Sequence, residues 1–331
     1  MIQTLSRATT YLTTYFIDQR TGEPTLRSHA TGFFLRANTA LLLVTSWHVV
    51  SGLDPVDPSL VVNSPPHFLK VSVVDNEGSL SEISLPLYGS SMQPMWEEHP
   101  DGSKVDIAIY PLPLTLEKYF QFVDIQSAED SAQIAEAVGK DVFILGYPFS
   151  SYEMRRVFGE DAAYYLPIWK HGTIATEPAL RLGHRRVLLI DSLSRPGMSG
   201  APIVIAQDAH LLRAQSETNS KVMERILAGD HHAILELDQK ALADEKVKQF
   251  QFLGVYSGVI GSTRLAEVAL GRCWHMDTLH ELVANARPGV MPFHAPLPNA
   301  HYEAFLAQFP PRGDLILKNA DGDVAKHISM K

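Results

Sequence analysis

Apolar runs the length of a β-strand follow one another along this chain, among them Ala40–Thr45, Phe68–Val74, Glu82–Leu87, Val105–Leu112, Asp141–Pro148, Trp169–Ala175, Val187–Ile190 and Phe252–Gly258. Turn residues and polar loops separate them, so they read as antiparallel sheet and not as alternating strand and helix. A hairpin opens the series, with Thr9–Ile17 and Ala30–Leu35 on either side of Arg20-Thr21-Gly22-Glu23-Pro24. Ser127-Ala128-Glu129-Asp130 has a capping-box start, and a short helix is predicted from there to Gly139. It divides the strands into two β units.

The organisation predicted is a first β domain over residues 1–126, a linker helix over 127–140 and a second β domain over 141–276. A C-terminal helix and Pro-rich tail follow over 277–331. From 207 to 251 the chain turns polar, with helical spacing at Val222, Ile226 and Leu227 and again at Leu235, Leu237 and Leu242. This stretch is expected to be a mostly helical insertion in the second domain.

A serine stands between two glycines in Arg195-Pro196-Gly197-Met198-Ser199-Gly200-Ala201-Pro202, after one strand and before another. That places Ser199 at the apex of a tight turn. Glycines there leave backbone N–H groups open to a ligand, and the amides of Gly197 and Ser199 are the candidate oxyanion donors. A serine hydroxyl is a weak nucleophile until a base takes its proton. His48, just beyond the core strand Ala40–Thr45, is the candidate base. Asp106, at the head of an otherwise apolar strand, is the candidate for orienting it, because a buried carboxylate there needs a partner.

Composition narrows the alternatives. With 28 basic and 37 acidic residues the formal charge is −9, which disfavours a general nucleic-acid binder. No apolar run reaches the length of a membrane helix. The single cysteine, Cys273, allows no intrachain disulfide, and the first residues lack the basic start and apolar core of a signal peptide. The expectation is a cytoplasmic protein. Zinc-site spacings and phosphate-binding glycine loops are absent, so neither metal nor organic cofactor is expected.

Thr45-Ser46-Trp47-His48-Val49-Val50, Val105-Asp106-Ile107-Ala108-Ile109 and Gly197-Met198-Ser199-Gly200-Ala201-Pro202 resemble, in that order, the three motif blocks of trypsin-like peptidases. The likeness is to the bacterial, disulfide-free branch that includes the HtrA proteases, over roughly residues 27 to 275 and without a PDZ domain. The resemblance implies an all-β fold of two six-stranded antiparallel barrels with the active site between them. It implies a serine endopeptidase, with His48, Asp106 and Ser199 catalytic and a polypeptide as substrate. Met198 falls where some members carry an aspartate that pairs with a newly cut N-terminus, so that activation route is not implied. Leu193 falls where trypsin carries its specificity aspartate, which implies an apolar or small side chain at the cleavage point. Tyr256, Ser257 and Gly258 either offer a strand edge to the substrate or form an interior barrel strand. Two competing functions remain: a silent or partner-gated protease-fold binding module, with a regulatory protein partner, and an α/β-hydrolase esterase. The second fails because Pro202–Ile205 reads as strand where that fold needs a helix.

Overall fold

The computed structural model describes residues 4–37, 39–61, 65–76, 80–124, 135–150, 153, 166–179, 181–182, 184–193, 195–214, 217–236, 242–259, 270–292, 300–308, 315–318 and 324–328. The N-terminal strands are β1 (Thr9–Ile17), β2 (Pro24–Ala37), β3 (Ala40–Thr45), β4 (Phe68–Val74), β5 (Leu80–Pro86), β6 (Glu97–Glu98), β7 (Ala108–Leu112) and β8 (Val123–Asp124). Six of them run in the order β7-β3-β2-β1-β4-β5. Two bonds draw the flanks together: Tyr110 OH of β7 donates to Pro86 O of β5 at 2.9 Å, and just past β5 Leu87 O accepts from Met95 N–H at 2.9 Å.

The second group comprises β9 (Asp141–Gly146), β10 (Ile168–Ile174), β11 (Arg181–Leu182), β12 (Arg185–Asp191), β13 (Pro202–Ala214), β14 (Leu242–Val259) and β15 (Leu270–His275). The order β10-β9-β13-β14-β15-β12 closes on itself, because β10 also pairs with β12 through Thr173↔Asp191 and Ile174↔Ile190. This is a six-stranded antiparallel barrel, and the chain is mostly strand, as expected.

The continuous apolar runs have a physical reason, since these strands are buried on both faces. Leu41 and Leu43 of β3 enter the core of the first barrel, whereas Leu42 and Val44 enter a layer between the barrels. Tyr110 and Ile109 of β7 divide the same way. From the other side Val187, Val255 and Trp274 join the shared layer, while Leu188, Leu253 and Cys273 fill the second barrel. Alternation along each strand therefore builds three cores from one set of strands.

Four regions differ from the sequence reading. The run Glu97–Lys104, a polar loop by composition, contains β6 and buries both Glu98 and His99. The strand expected from Val105 begins at Ala108, which leaves Asp106 in the connection after a 3-10 turn at Gly102–Lys104. Of the linker helix, residues 127–134 lie outside the described residues. Residues 135–140 form no helix and turn at Gly139, whose φ is +79°.

The C-terminal segment is the fourth. A helix spans Met276–Asn285, close to the expected position, and β16 (Arg287–Pro288) then pairs with β6. A short helix, Ala300–Leu306, buries Tyr302 in the first core, where its hydroxyl donates to Tyr88 O at 2.6 Å and accepts from Tyr88 N–H at 3.1 Å. Finally β17 (Leu315–Lys318) meets β5 and pairs with β18 (Val324–Ile328). The tail thus folds back on the first barrel.

Residues Ala206–Gln251 form a second compact unit. Its middle is an α-helix at Glu217–Leu227 and a 3-10 turn at His231–Glu236, so the expected helical character is confined to the centre. Its two arms are strand, the continuations of β13 and β14. Arg225 joins the two helical pieces by reaching Asp230 and Glu236, both at 2.7 Å.

Candidate active site

β3 delivers the chain to the site. Ser46 stays extended, the one-turn helix Trp47–Ser51 begins after it, and Gly52 ends that helix in the left-handed region at φ +74° with its N–H on His48 O. His48 is therefore fixed in a helical turn directly against the end of β3. The Asp106 carboxylate meets both its backbone and its ring: Oδ1 accepts from the His48 backbone N–H at 2.9 Å and lies 3.0 Å from Nδ1, and Oδ2 lies 2.8 Å from Nδ1. Asp106 is fully buried, whereas the His48 side chain keeps 17% exposure. A carboxylate facing Nδ1 accepts a hydrogen bond from its N–H, which leaves Nε2 with a free lone pair. Burial pulls the imidazole's pKa down, but the charge and hydrogen bond of Asp106 outweigh it, and the net shift is upward from 6.5.

The Ser199 turn is stitched to the same place. Gly197 and Gly200 both have positive φ, +92° and +86°. A Cβ on Gly200 would stand 2.2 Å from Thr31 O and 2.5 Å from Thr45 Oγ1, so only glycine allows the turn to press against the residues leading to His48. Ser199 O accepts from Thr31 N–H at 2.9 Å, Gly200 N–H donates to Tyr256 O at 2.8 Å, and Ser46 Oγ donates to the same oxygen at 3.4 Å. Strands from both barrels thus bring His48, Asp106 and Ser199 to one locus. Among the described residues Ser199 Oγ makes no hydrogen bond, and the N–H groups of Gly197 and Ser199 have no protein partner.

The chain also matches the model of the trypsin-like peptidase domain over residues 30–212. It belongs to the trypsin-like peptidase family. The protein is accordingly a trypsin-like serine protease, a hydrolase of peptide bonds. Among solved structures it is similar to the inactive form of a serine-to-alanine mutant of Rv3671c from M. tuberculosis H37Rv. Identity is 14% and the TM-score 0.37, over 85% of this chain and 86% of that one. No curated protein matches. No helix among the described residues is long and apolar enough to cross a membrane.

Other sequence candidates in this trypsin-like peptidase have distinct placements. Met198 is buried in the second core, so its position is filled by apolar packing. Leu193 is 66% exposed at the start of the Ser199 loop. Tyr256 is interior: its N–H donates to Ala201 O at 2.8 Å while its carbonyl is taken by Gly200 and Ser46, so its backbone cannot pair with a peptide. Ser257 Oγ accepts from Trp274 Nε1 at 3.1 Å. Gly258, at φ +93°, faces Ser199, and a Cβ there would lie 3.9 Å from its Oγ.

Two supporting groups escape a reading by motif. Thr31 Oγ1 donates to Gly197 O at 2.7 Å and accepts from Tyr147 N–H at 3.1 Å, which ties the loop before Ser199 to β2. A polar residue inside the apolar stretch Ala30–Leu35 was its only signal. Glu98, buried to 1% exposure, accepts from Trp47 Nε1 at 2.9 Å and from Arg287 at 3.0 Å. It connects the residue before His48 to the C-terminal segment.

Proposed function

We propose that this peptidase cleaves internal peptide bonds by a Ser-His-Asp mechanism. Ser199 attacks the scissile carbonyl as His48 Nε2 takes its proton, and the amides of Gly197 and Ser199 receive the oxyanion. Asp106 holds the imidazole with its proton on Nδ1 and stabilises the imidazolium. His48 then protonates the leaving amine, an acyl-enzyme forms on Ser199, and water attacks it with His48 again as base. The observation that carries this reading is the double hold of buried Asp106 on His48, through Nδ1 and through the backbone N–H. The single, buried Cys273 accords with a reducing, cytoplasmic setting.

One observation favours a gated version of the same enzyme: Ser199 Oγ makes no hydrogen bond among the described residues, His48 included, so substrate or a protein partner would complete the nucleophile–base contact on binding. Cleavage of an unstructured protein substrate, followed by mass spectrometry of the fragments, tests the assignment. Internal cuts that vanish in both Ser199→Ala and His48→Ala are expected. Cuts that persist in either variant would place the chemistry elsewhere.

A further inference from the structure

We propose that Arg272 binds an acidic side chain of the substrate beside the scissile bond, making this protease selective for Asp or Glu at that position. The proposal rests on the active-site assignment above and adds a substrate class to it.

Arg272 lies in β15, between Gly271 and Cys273. The β14–β15 ladder pairs Tyr256 with Cys273 and then shifts, resuming at Val259↔Gly271. Arg272 therefore stands opposite the irregular pair Ser257–Gly258, and Gly258 is the residue whose Cα faces Ser199 Oγ. Strand alternation puts Arg272 on the same face as Trp274, and its guanidinium lies 5.9 Å from the Trp274 ring. Trp274 belongs to the layer between the barrels, together with Val44 at the end of the strand leading to His48. The cation thus stands on the face of β15 that looks into the layer between the barrels, across the ladder from Gly258. Its charge is felt at His48, opposing protonation there as burial does more strongly.

Among the described residues no carboxylate answers the Arg272 charge, and its one partner there is the face of the Trp274 ring. The Arg272 Nε is buried without a hydrogen-bond partner. Arg185, Arg186, Arg225 and Arg287 each hold a carboxylate, in a chain with 37 acidic residues against 28 basic ones. A half-buried guanidinium whose described partner is an aromatic face at 5.9 Å, and not a carboxylate, keeps most of its hydrogen-bonding capacity unused. Its planar fork fits a carboxylate with two parallel N–H···O bonds, so an acidic substrate side chain is the ligand that completes it.

The test is hydrolysis of a peptide library varied at each position flanking the cut, compared between the unmodified protein, Arg272→Gln, Arg272→Lys and Arg272→Glu. Asp or Glu at one position should raise kcat/KM about tenfold over Asn or Gln, the scale of a charged hydrogen bond. The preference should weaken in Arg272→Lys, vanish in Arg272→Gln and turn toward Lys or Arg in Arg272→Glu. Reversal is a gain that a misfolded variant cannot mimic. An unmodified enzyme indifferent to acidic residues, or a preference that survives Arg272→Gln, overturns the proposal. Fluorophosphonate labelling of Ser199 separates this failure from failure of the catalytic assignment. Should the protein not label, the same library is read by binding to Ser199→Ala, where acidic peptides should bind about tenfold more tightly and equal binding overturns the proposal.

Discussion

Asp106→Asn changes one atom of the site and should nearly abolish activity through the tautomer of His48. In the present geometry Oδ1 accepts from the His48 backbone N–H at 2.9 Å, and Oδ2 lies 2.8 Å from Nδ1. The backbone N–H can only donate, so the asparagine must keep its carbonyl oxygen at the Oδ1 position. Its amide NH2 then occupies the Oδ2 position and donates to Nδ1. The NH2 at the shorter, 2.8 Å contact favours the imidazole proton on Nε2 over Nδ1, where only the 3.0 Å contact to Oδ1 would accept it, and the base that should activate Ser199 is lost from most molecules. Wrong-tautomer substitutions of this kind lower kcat by about 10⁴-fold, or roughly 5 kcal/mol of barrier. A second consequence has the opposite sign from simple damage. Burial alone lowers the His48 pKa, and the carboxylate charge is what carries it above 6.5. The unmodified enzyme should therefore lose activity as pH falls through a midpoint above 6.5, and the residual activity of Asp106→Asn should have its midpoint displaced to lower pH. Steady-state kcat/KM on one peptide from pH 5 to 9, with circular dichroism to verify folding, measures both. Activity of the folded variant within about tenfold of the unmodified enzyme would refute an orienting carboxylate.

Thr31→Val removes the hydroxyl between Gly197 O and Tyr147 N–H at nearly constant volume, and should cost about 1–3 kcal/mol of stability. It should also lower kcat more than it raises KM, because the loop before Ser199 loses its tie. Arg287→Met leaves buried Glu98 with Trp47 as its remaining side-chain donor; thermal unfolding should show a loss of about 1–3 kcal/mol, at the lower end of buried-pair losses because Arg287 is itself half exposed, and Glu98→Gln in the same background should recover part of it. His67 is fully buried, accepts Ile17 N–H on Nδ1 at 2.9 Å, and has its pKa pushed down by burial from 6.5 to about 4. A depressed histidine pKa stabilises the fold above the unfolded value and loses that contribution as pH falls, so unfolding free energy should drop between pH 6.5 and 4 by about 3 kcal/mol. A flat chemical-denaturation profile over that window would show that His67 is protonated without penalty.

The strands were legible because they are buried on both faces: a run such as Ala40–Thr45 must be apolar throughout when alternate residues feed two different cores. The positions of His48, Asp106 and Ser199 were legible for a related reason, since each is a polar residue at the rim of such a run. The supporting pairs were not. Glu98 sits in a run of charged and turn-forming residues, and its partners are 51 and 189 residues away in sequence, Trp47 and Arg287. Local composition therefore reads solvent where the fold supplies counter-charge. The same distance hides the tail, because Tyr302 finds Tyr88 across 214 residues and gives no periodic signal of its own. In the insertion, helical spacing identified the centre, but the arms follow strands whose pairing begins in the barrel.

The central claim, an activated Ser199, is tested most directly by reacting the purified protein with a fluorophosphonate and reading the intact mass. One covalent adduct on the unmodified protein, absent from Ser199→Ala and from His48→Ala, is the result this account predicts. No adduct, under conditions where a control serine protease labels fully, or an adduct that survives Ser199→Ala, would contradict it.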